Sequence, residues 1–135
     1  MSITFKSGFT WLLRILAALI MMQTLFFKFT ASSESVYIFS TVGMEPWGRI
    51  GSGIAELIAS ILILIPGTTW LGAAIGLAVM TGAIFFHLTK LGIEVQGDGG
   101  QLFVYALIVF ICCALLLIIY RSAIISLLLK RTSNI

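Results

Sequence analysis

Four long apolar stretches dominate this 135-residue sequence and constrain its fold more than any other feature. They cover about residues 9–29, 48–65, 70–91 and 101–120. Each is close to the roughly 20 residues that an α-helix needs to cross the hydrocarbon core of a bilayer. Only 10% of the residues are charged and 60% are hydrophobic, which excludes intrinsic disorder and leaves too little polar surface for a soluble domain. We therefore predict an all-α integral membrane bundle of four transmembrane helices.

Turn signals between the stretches predict how the helices connect. Pro66-Gly67 ends the second stretch, and the short link that follows makes the second and third helices antiparallel neighbours. A glycine-rich turn at residues 92–100 joins the third helix to the fourth. Ser32 and Glu34 favour the start of a short helix over about residues 32–42, between the first and second spans. We expect this helix to lie flat on the membrane interface and to cap the bundle, as a connection without chemistry. Residues 1–135 are predicted to form a single transmembrane domain.

The distribution of charge predicts the orientation. The side shared by both termini carries five basic residues and no acid: Lys6, Arg14, Arg121, Lys130 and Arg131. The opposite side carries three basic residues and four acids: Lys28, Arg49, Lys90, Glu34, Glu45, Glu94 and Asp98. By the positive-inside rule, we expect a multi-pass protein of the plasma (inner) membrane with both termini cytoplasmic. The net charge of +3, with no run of basic residues longer than Lys130-Arg131, predicts no nucleic-acid partner. We expect the Arg14 side chain to snorkel to the interface.

Small residues predict which helix faces meet, because helices in a bilayer associate through close backbone contact and buried polar groups. The second helix carries a four-residue repeat of small side chains at Gly51, Ala55 and Ala59, with Glu56 on the adjacent row. One continuous face of the third helix carries Gly72, Gly76, Met80, Ala83 and His87. Both faces are predicted to point into the bundle, and the same small residues could serve a homo-oligomer.

Helix direction predicts the depth of the polar side chains. Glu56 lies about 10 Å along the second helix from the outer side, at 1.5 Å per residue, and His87 lies about one turn below that surface. The first and fourth helices bring four more polar side chains to this level: Gln23, Lys28, Gln101 and Tyr105. We therefore predict a polar ligand pocket in the outer half of the bundle and an almost purely apolar inner half.

Glu56 and His87 are the candidate catalytic residues. A carboxylate in hydrocarbon costs roughly 2.5–3.5 kcal/mol, so Glu56 needs a partner or a proton. The alternative to a catalytic role is a purely structural ion pair of Glu56 with Arg49, Lys28 or His87. An imidazole can hydrogen-bond a quinone carbonyl or shuttle a proton, whereas the alternative is a histidine satisfied by backbone or water. One His and one Glu are too few for a metal site, so none is predicted.

The order of these landmarks resembles the DoxX-like family of small four-helix membrane proteins. The motifs that carry the resemblance are Arg14-Ile15-Leu16, Phe27-Lys28-Phe29, residues 39–43 with Pro46, residues 53–57, residues 62–67, residues 71–74, residues 80–83 and His87. The resemblance implies a compact bundle of four transmembrane helices. Some relatives are linked to quinone-coupled sulfur oxidation or to thiol-oxidant resistance complexes. Glu56, His87 and Lys28 match the family's polar positions.

Related membrane redox proteins that work through a cysteine pair have a spaced motif, whereas Cys112 and Cys113 are adjacent here. This departure favours packing over thiol chemistry for the two cysteines. The resemblance and the convergence of polar side chains at one depth lead to the hypothesis of a quinone-associated redox subunit or accessory protein in which Glu56 and His87 exchange protons with the ligand. Gln23, Lys28, Gln101 and Tyr105 would bind it, and a redox partner protein would complete any oxidoreductase. The alternatives are a non-catalytic structural or chaperone-like module and a small-solute carrier.

Overall fold

The computed structural model of the chain describes residues 3–133, with side chains described from residue 7 onward, so the Lys6 side chain in the charge balance lies outside it. Six α-helices are described: α1 (Ile3–Phe29), α2 (Ser33–Thr41), α3 (Trp47–Leu64), α4 (Thr69–Phe86), α5 (Gln101–Ile119) and α6 (Arg121–Ser133). A π-helical segment (His87–Leu91) continues α4. Four helical stretches are long and apolar enough to cross a membrane, and residues 3–133 contain no strand. The predicted fold class, with a short helix between the first two spans, is confirmed.

The four spanning helices form a ring. α1 and α4 each pack against both α3 and α5, so successive spans alternate in direction around the bundle. We call one end of the bundle the α2 end. α1 ends there, α3 and α5 begin there, and the π-helical segment lies at the same end. α2 covers this end through contacts with α1, α3 and the π-helical segment. The opposite end, the terminal end, carries α6, in which no described side chain is buried.

Close approach of the backbones fixes α4 against both of its neighbours. A Cβ at Gly72 would lie 2.6 Å from the Ala59 carbonyl oxygen of α3, and one at Gly76 would lie 2.9 Å from Cys113 Sγ of α5. The predicted inward face of the third helix is therefore observed. The predicted contact at Gly51 is wrong, because Gly51 is exposed and a Cβ there would meet no atom within 4 Å. Gly53 is buried instead, against Phe29 of α1, while Ala59 of the predicted row is fully buried.

Arg14 lies at the terminal end and is buried, so the expectation that it snorkels to the interface is wrong. Its Nε donates to the Ile63 carbonyl oxygen at 2.8 Å, and a second guanidinium nitrogen donates to the Leu64 carbonyl oxygen at 2.9 Å. The guanidinium also lies 3.6 Å from the centre of the Trp11 ring. Because the last carbonyls of a helix lack intrahelical partners, this arginine caps α3. The terminal end is thus less apolar than predicted.

Candidate functional site

A cavity of about 570 Å³ opens at the α2 end of the bundle. Its volume falls in the range of small-molecule sites, and its walls are mainly apolar with a few convergent polar groups, as such sites usually are. α1 to α5, the π-helical segment and the loop before α5 all contribute to it. The six predicted site residues all line this one cavity: Gln23, Lys28, Glu56, His87, Gln101 and Tyr105. Their roles stay predictions.

Glu56 projects from the middle of α3 and is only 3% exposed, so its charge needs partners. Lys28 Nζ, at the end of α1, donates to Glu56 Oε1 at 2.6 Å, and the Thr24 hydroxyl donates to Oε2 at 3.2 Å. Thr24 and Lys28 reach the same carboxylate because residues four apart lie on one helix face. Of the three partners considered from the sequence, the structure selects Lys28. Neither Arg49 nor His87 forms an ion pair with Glu56 in the described part of the chain.

Arg49 holds the end of α1 in place beside this ion pair. It is buried, its Nε donates to Glu45 Oε1 at 2.9 Å, and a guanidinium nitrogen donates to the backbone carbonyl of Lys28. Arg49 on α3 therefore caps the end of α1 as Arg14 on α1 caps the end of α3. These two contacts fix α1 and α3 to each other at both ends, and so position Lys28 over Glu56.

His87 opens the π-helical segment and is 6% exposed. Its Nδ1 donates to the Gly92 carbonyl oxygen at 2.9 Å, because a carbonyl can only accept, and its ring stacks edge-on against Phe103. These contacts fix the ring, while Nε2 makes no hydrogen bond to any residue of the described chain. In the neutral ring Nε2 is an acceptor, and in the protonated ring it is a donor. Single π-helical turns within helices often accompany functional sites.

Asp98 lines the cavity from the loop between the π-helical segment and α5. One carboxylate oxygen accepts from the backbone N–H groups of Val95 at 3.0 Å and Gly100 at 2.8 Å. The other accepts from Leu102 N–H at 3.3 Å. Burial alone would raise the pKa of Asp98, but these backbone donors and the neighbouring His87 together hold the pKa below its usual value. The sequence indicated Asp98 only as one of the loop charges on the side opposite the termini.

Acidification should test this loop. Because the pKa of Asp98 is lower in the folded chain than its ordinary 3.8, the carboxylate stabilises the fold fully above that value. The contribution is lost as the pH falls through the folded-state pKa. Asp98→Asn should therefore lower the thermal unfolding midpoint near neutral pH and reduce the loss seen on acidification to about pH 3. Glu94→Gln, in the same loop, should keep the acid-dependent loss. An identical pH profile for Asp98→Asn and the parent would contradict this role.

Gln101 and Tyr105 lie one turn apart on α5, and the Gln101 amide donates to the Tyr105 hydroxyl at 2.9 Å. Gln23 on α1 is exposed and lines the cavity without a hydrogen bond to any residue of the described chain. The ligand-binding candidates thus divide into a bonded pair on α5, a free amide on α1 and the charged Lys28. None of them bonds directly to His87 or to one another across the cavity.

α2 and its N-cap line the cavity through Ser32, Glu34 and Ser35. The sequence predicted this helix as a connection only and did not identify these three residues as part of the site. The Ser32 side chain caps the helix by accepting from Ser35 N–H at 3.2 Å, as the sequence pattern predicts. Ser52 on α3 also lines the cavity. The capping motif placed the helix start, and α2 caps the bundle as predicted. No signal in the sequence indicated that a cavity lies beneath this helix.

Fold and cavity define a class: a helical multi-pass membrane protein with a ligand-sized cavity at one end of its bundle. The model of the DoxX family matches residues 9–89, more than half of the chain, and the protein belongs to the DoxX family. Glu56, His87, Lys28 and Gln23 lie within the matched range, whereas α5 lies beyond it. Comparison with curated proteins and with solved structures gave no match.

Proposed function

We propose that this DoxX-family protein binds the ring of a quinone or quinol in the cavity, as a redox subunit or an accessory protein. The observation that carries the proposal is the meeting of the Lys28–Glu56 ion pair and His87 in one mainly apolar cavity of about 570 Å³. A quinone needs apolar walls for its ring and polar groups for its two oxygens. The cavity supplies both.

His87 and Lys28 would contact the oxygens of the ligand. His87 Nε2 has no hydrogen-bond partner among residues 7–133, so it can accept from a quinol hydroxyl or, when protonated, donate to a quinone carbonyl. Lys28 Nζ has three donors and uses one of them on Glu56, which leaves donors for the ligand. Glu56 would hold the Lys28 ammonium in position and take up a proton when the ligand releases one. The cavity residues thus hold the ring and exchange its protons.

A quinone accepts two electrons and two protons when it becomes a quinol. Carboxylate and imidazole groups move protons and not electrons, so the proposal assigns the electrons to a redox partner protein. We further propose a location in the plasma membrane with cytoplasmic termini, which the excess of basic residues on the terminal side supports. The α2 end, with the cavity, would then face the outer leaflet. The lipid-facing sides of the bundle leave room for a partner or for a second copy.

Binding of a quinone with a ten-carbon tail to the purified protein tests the function. Glu56→Gln and His87→Ala should each weaken binding about 10- to 100-fold. His87→Ala removes a hydrogen bond to the ligand, and Glu56→Gln removes the carboxylate that holds the Lys28 ammonium in place for the ligand, a charge-assisted contact worth about 1.5–3 kcal/mol. Glu94→Gln, a carboxylate that does not line the cavity, should leave the affinity unchanged. A parent protein that binds no quinone, and purifies with none, would refute the proposal.

A second candidate function is a structural membrane module, and one observation favours it. Glu56 is already hydrogen-bonded by Lys28 and Thr24, so the cluster can lock α1 to α3 without any ligand. Under this function, Glu56→Gln lowers the unfolding temperature of the ligand-free protein and no quinone binds. Under the quinone-binding function, the same variant keeps most of the stability and loses the ligand.

A further inference from the structure

Two of the residues that line the cavity lie on a side of α1 that does not face α3. Thr24 and Lys28 face α3, since both bond Glu56. Gln23 and Phe27 each precede one of them by one residue, which turns their side chains by about 100° around the helix. Phe29 contacts α3 at Gly53, and Phe27, two residues earlier, lies on the opposite side of α1, toward α5, which is the other neighbour of α1 in the ring.

Gln101 and Tyr105 line the same cavity from α5. We call the boundary formed by Gln23 and Phe27 on one helix and by Gln101 and Tyr105 on the other the α1–α5 seam. Gln23 and Gln101 are exposed, and Phe27 is 49% exposed, so the seam borders both the cavity and the outer surface of the bundle. The cavity therefore reaches the surface within the span of α1, where lipid surrounds the protein.

Hydrogen bonds hold α1 to α3 more firmly than to α5. Between residues 11 and 29, α1 bonds α3 at both ends, through Arg14 and Lys28, but it makes no hydrogen bond or ion pair to α5 in the described chain. α4, by contrast, packs tightly against both α3 and α5 at its glycines. Gly72 brings α4 into backbone contact with α3, and Gly76 brings α4 against Cys113 of α5. Separation of α1 from α5 near the α2 end therefore breaks no polar contact of residues 11–29.

An unpartnered amide on this seam points to a ligand. Gln23 lies within a membrane-spanning segment, where a polar group without a hydrogen-bond partner costs free energy. The ion pair and His87 lie on the inner walls of the same cavity. A molecule that fits this layout has a polar ring inside the bundle and an apolar chain that leaves between α1 and α5.

We propose that the α1–α5 seam is a lateral portal for an amphiphile drawn from the lipid phase. The ring of the ligand enters between Phe27 and Tyr105, and its long alkyl or isoprenoid chain stays in the seam and in the bilayer. The proposal rests on the proposed quinone-binding function and adds to it the class of substrate, a long-chain quinone rather than a water-soluble one. Gln23 and Gln101 meet the polar ring as it passes.

Two benzoquinones with the same ring, one with a decyl tail and one without a tail, test the portal in lipid nanodiscs. Phe27→Trp narrows the seam and should weaken binding of the tailed quinone at least about tenfold more than that of the tail-less one, because several methylenes lose their path. Phe26→Trp is the matched control, since Phe26 is 67% exposed and does not line the cavity. It should leave the affinities for both quinones unchanged.

A diazirine at the end of the decyl tail locates the chain directly. Labelling of α1 and α5 residues at the seam, blocked by excess untagged decyl quinone, supports the portal. Blockable labelling confined to α2 or α4 overturns the portal while the quinone-binding function stands. Equal loss of affinity for both quinones in Phe27→Trp also overturns it. If neither quinone binds the parent protein, the quinone-binding function fails and the portal fails with it.

Discussion

Lys28→Met should lower the free energy of unfolding by about 3 kcal/mol, because it leaves the Glu56 carboxylate buried without a counter-charge. Glu56 is 3% exposed and the Lys28 side chain is 15% exposed, so water screens little of their 2.6 Å contact. The Thr24 hydroxyl alone cannot balance a full charge. Methionine keeps the length and apolar contacts of the lysine stem, so the loss reports the charge. Thermal or denaturant unfolding of the protein in micelles measures it.

The double variant Lys28→Met/Glu56→Gln removes both charges and should recover most of the lost stability, since no unpaired ion remains. Lys90→Met, at an exposed lysine of the π-helical segment, should change stability by less than about 0.5 kcal/mol. If Lys28→Met were as stable as the parent, Glu56 would not depend on Lys28. The double variant should still fail to bind quinone, which separates the functional role of the pair from its structural one.

The sequence predicted the fold and the level of the polar residues because helical spacing and alternating direction are local properties. Glu56 lies two turns into a helix that starts near Trp47, and His87 lies near the end of the next span. A short link between these helices forces them to be antiparallel. Depth along each axis then follows from the rise per residue. This reasoning placed both side chains at one end, where they line the same cavity.

The rotation of α1 and α3 about their axes could be predicted only in part. Gly51 and Gly53 were both available for close contact, and packing against Phe29 selects Gly53. The sequence left three candidate ion-pair partners for Glu56, because the partner depends on the rotation of α1 about its axis relative to α3. Arg14 was expected at the interface by default. Its burial follows from the end of α3 at Leu64, which brings two carbonyls that lack intrahelical partners within its reach.

The role of α2 also lay beyond the sequence. Its capping residues predict a short helix but carry no information on the space beneath it. That space exists because the helices at the α2 end leave a cavity that α2 covers, a property of the whole bundle. The sequence also did not predict the hydrogen bond between the His87 ring and the carbonyl of Gly92, which directly follows the π-helical segment. Such contacts depend on tertiary packing rather than on spacing along one helix.

Gly72→Ala should be the most disruptive single-methyl change in the bundle. The new Cβ would lie 2.6 Å from both the Ala59 carbonyl oxygen and the Ile63 backbone nitrogen, which are helix backbone atoms that cannot move alone. α3 and α4 must therefore separate, at a cost of about 1–3 kcal/mol or more, although alanine favours the helix itself by about 1 kcal/mol. Thermal unfolding in micelles measures the loss.

Gly51→Ala is the matched control for this variant, because a Cβ at Gly51 meets no atom within 4 Å and the residue also lies within a helix. It should be neutral or slightly stabilising. Since Glu56 projects from α3 and His87 follows α4, separation of these two helices should also weaken quinone binding in Gly72→Ala and leave it intact in Gly51→Ala. Equal stability of the two variants would show that the contact at Gly72 relaxes without cost. In that case, the close packing of α3 and α4 at Gly72 would not determine the relative positions of Glu56 and His87 in the cavity.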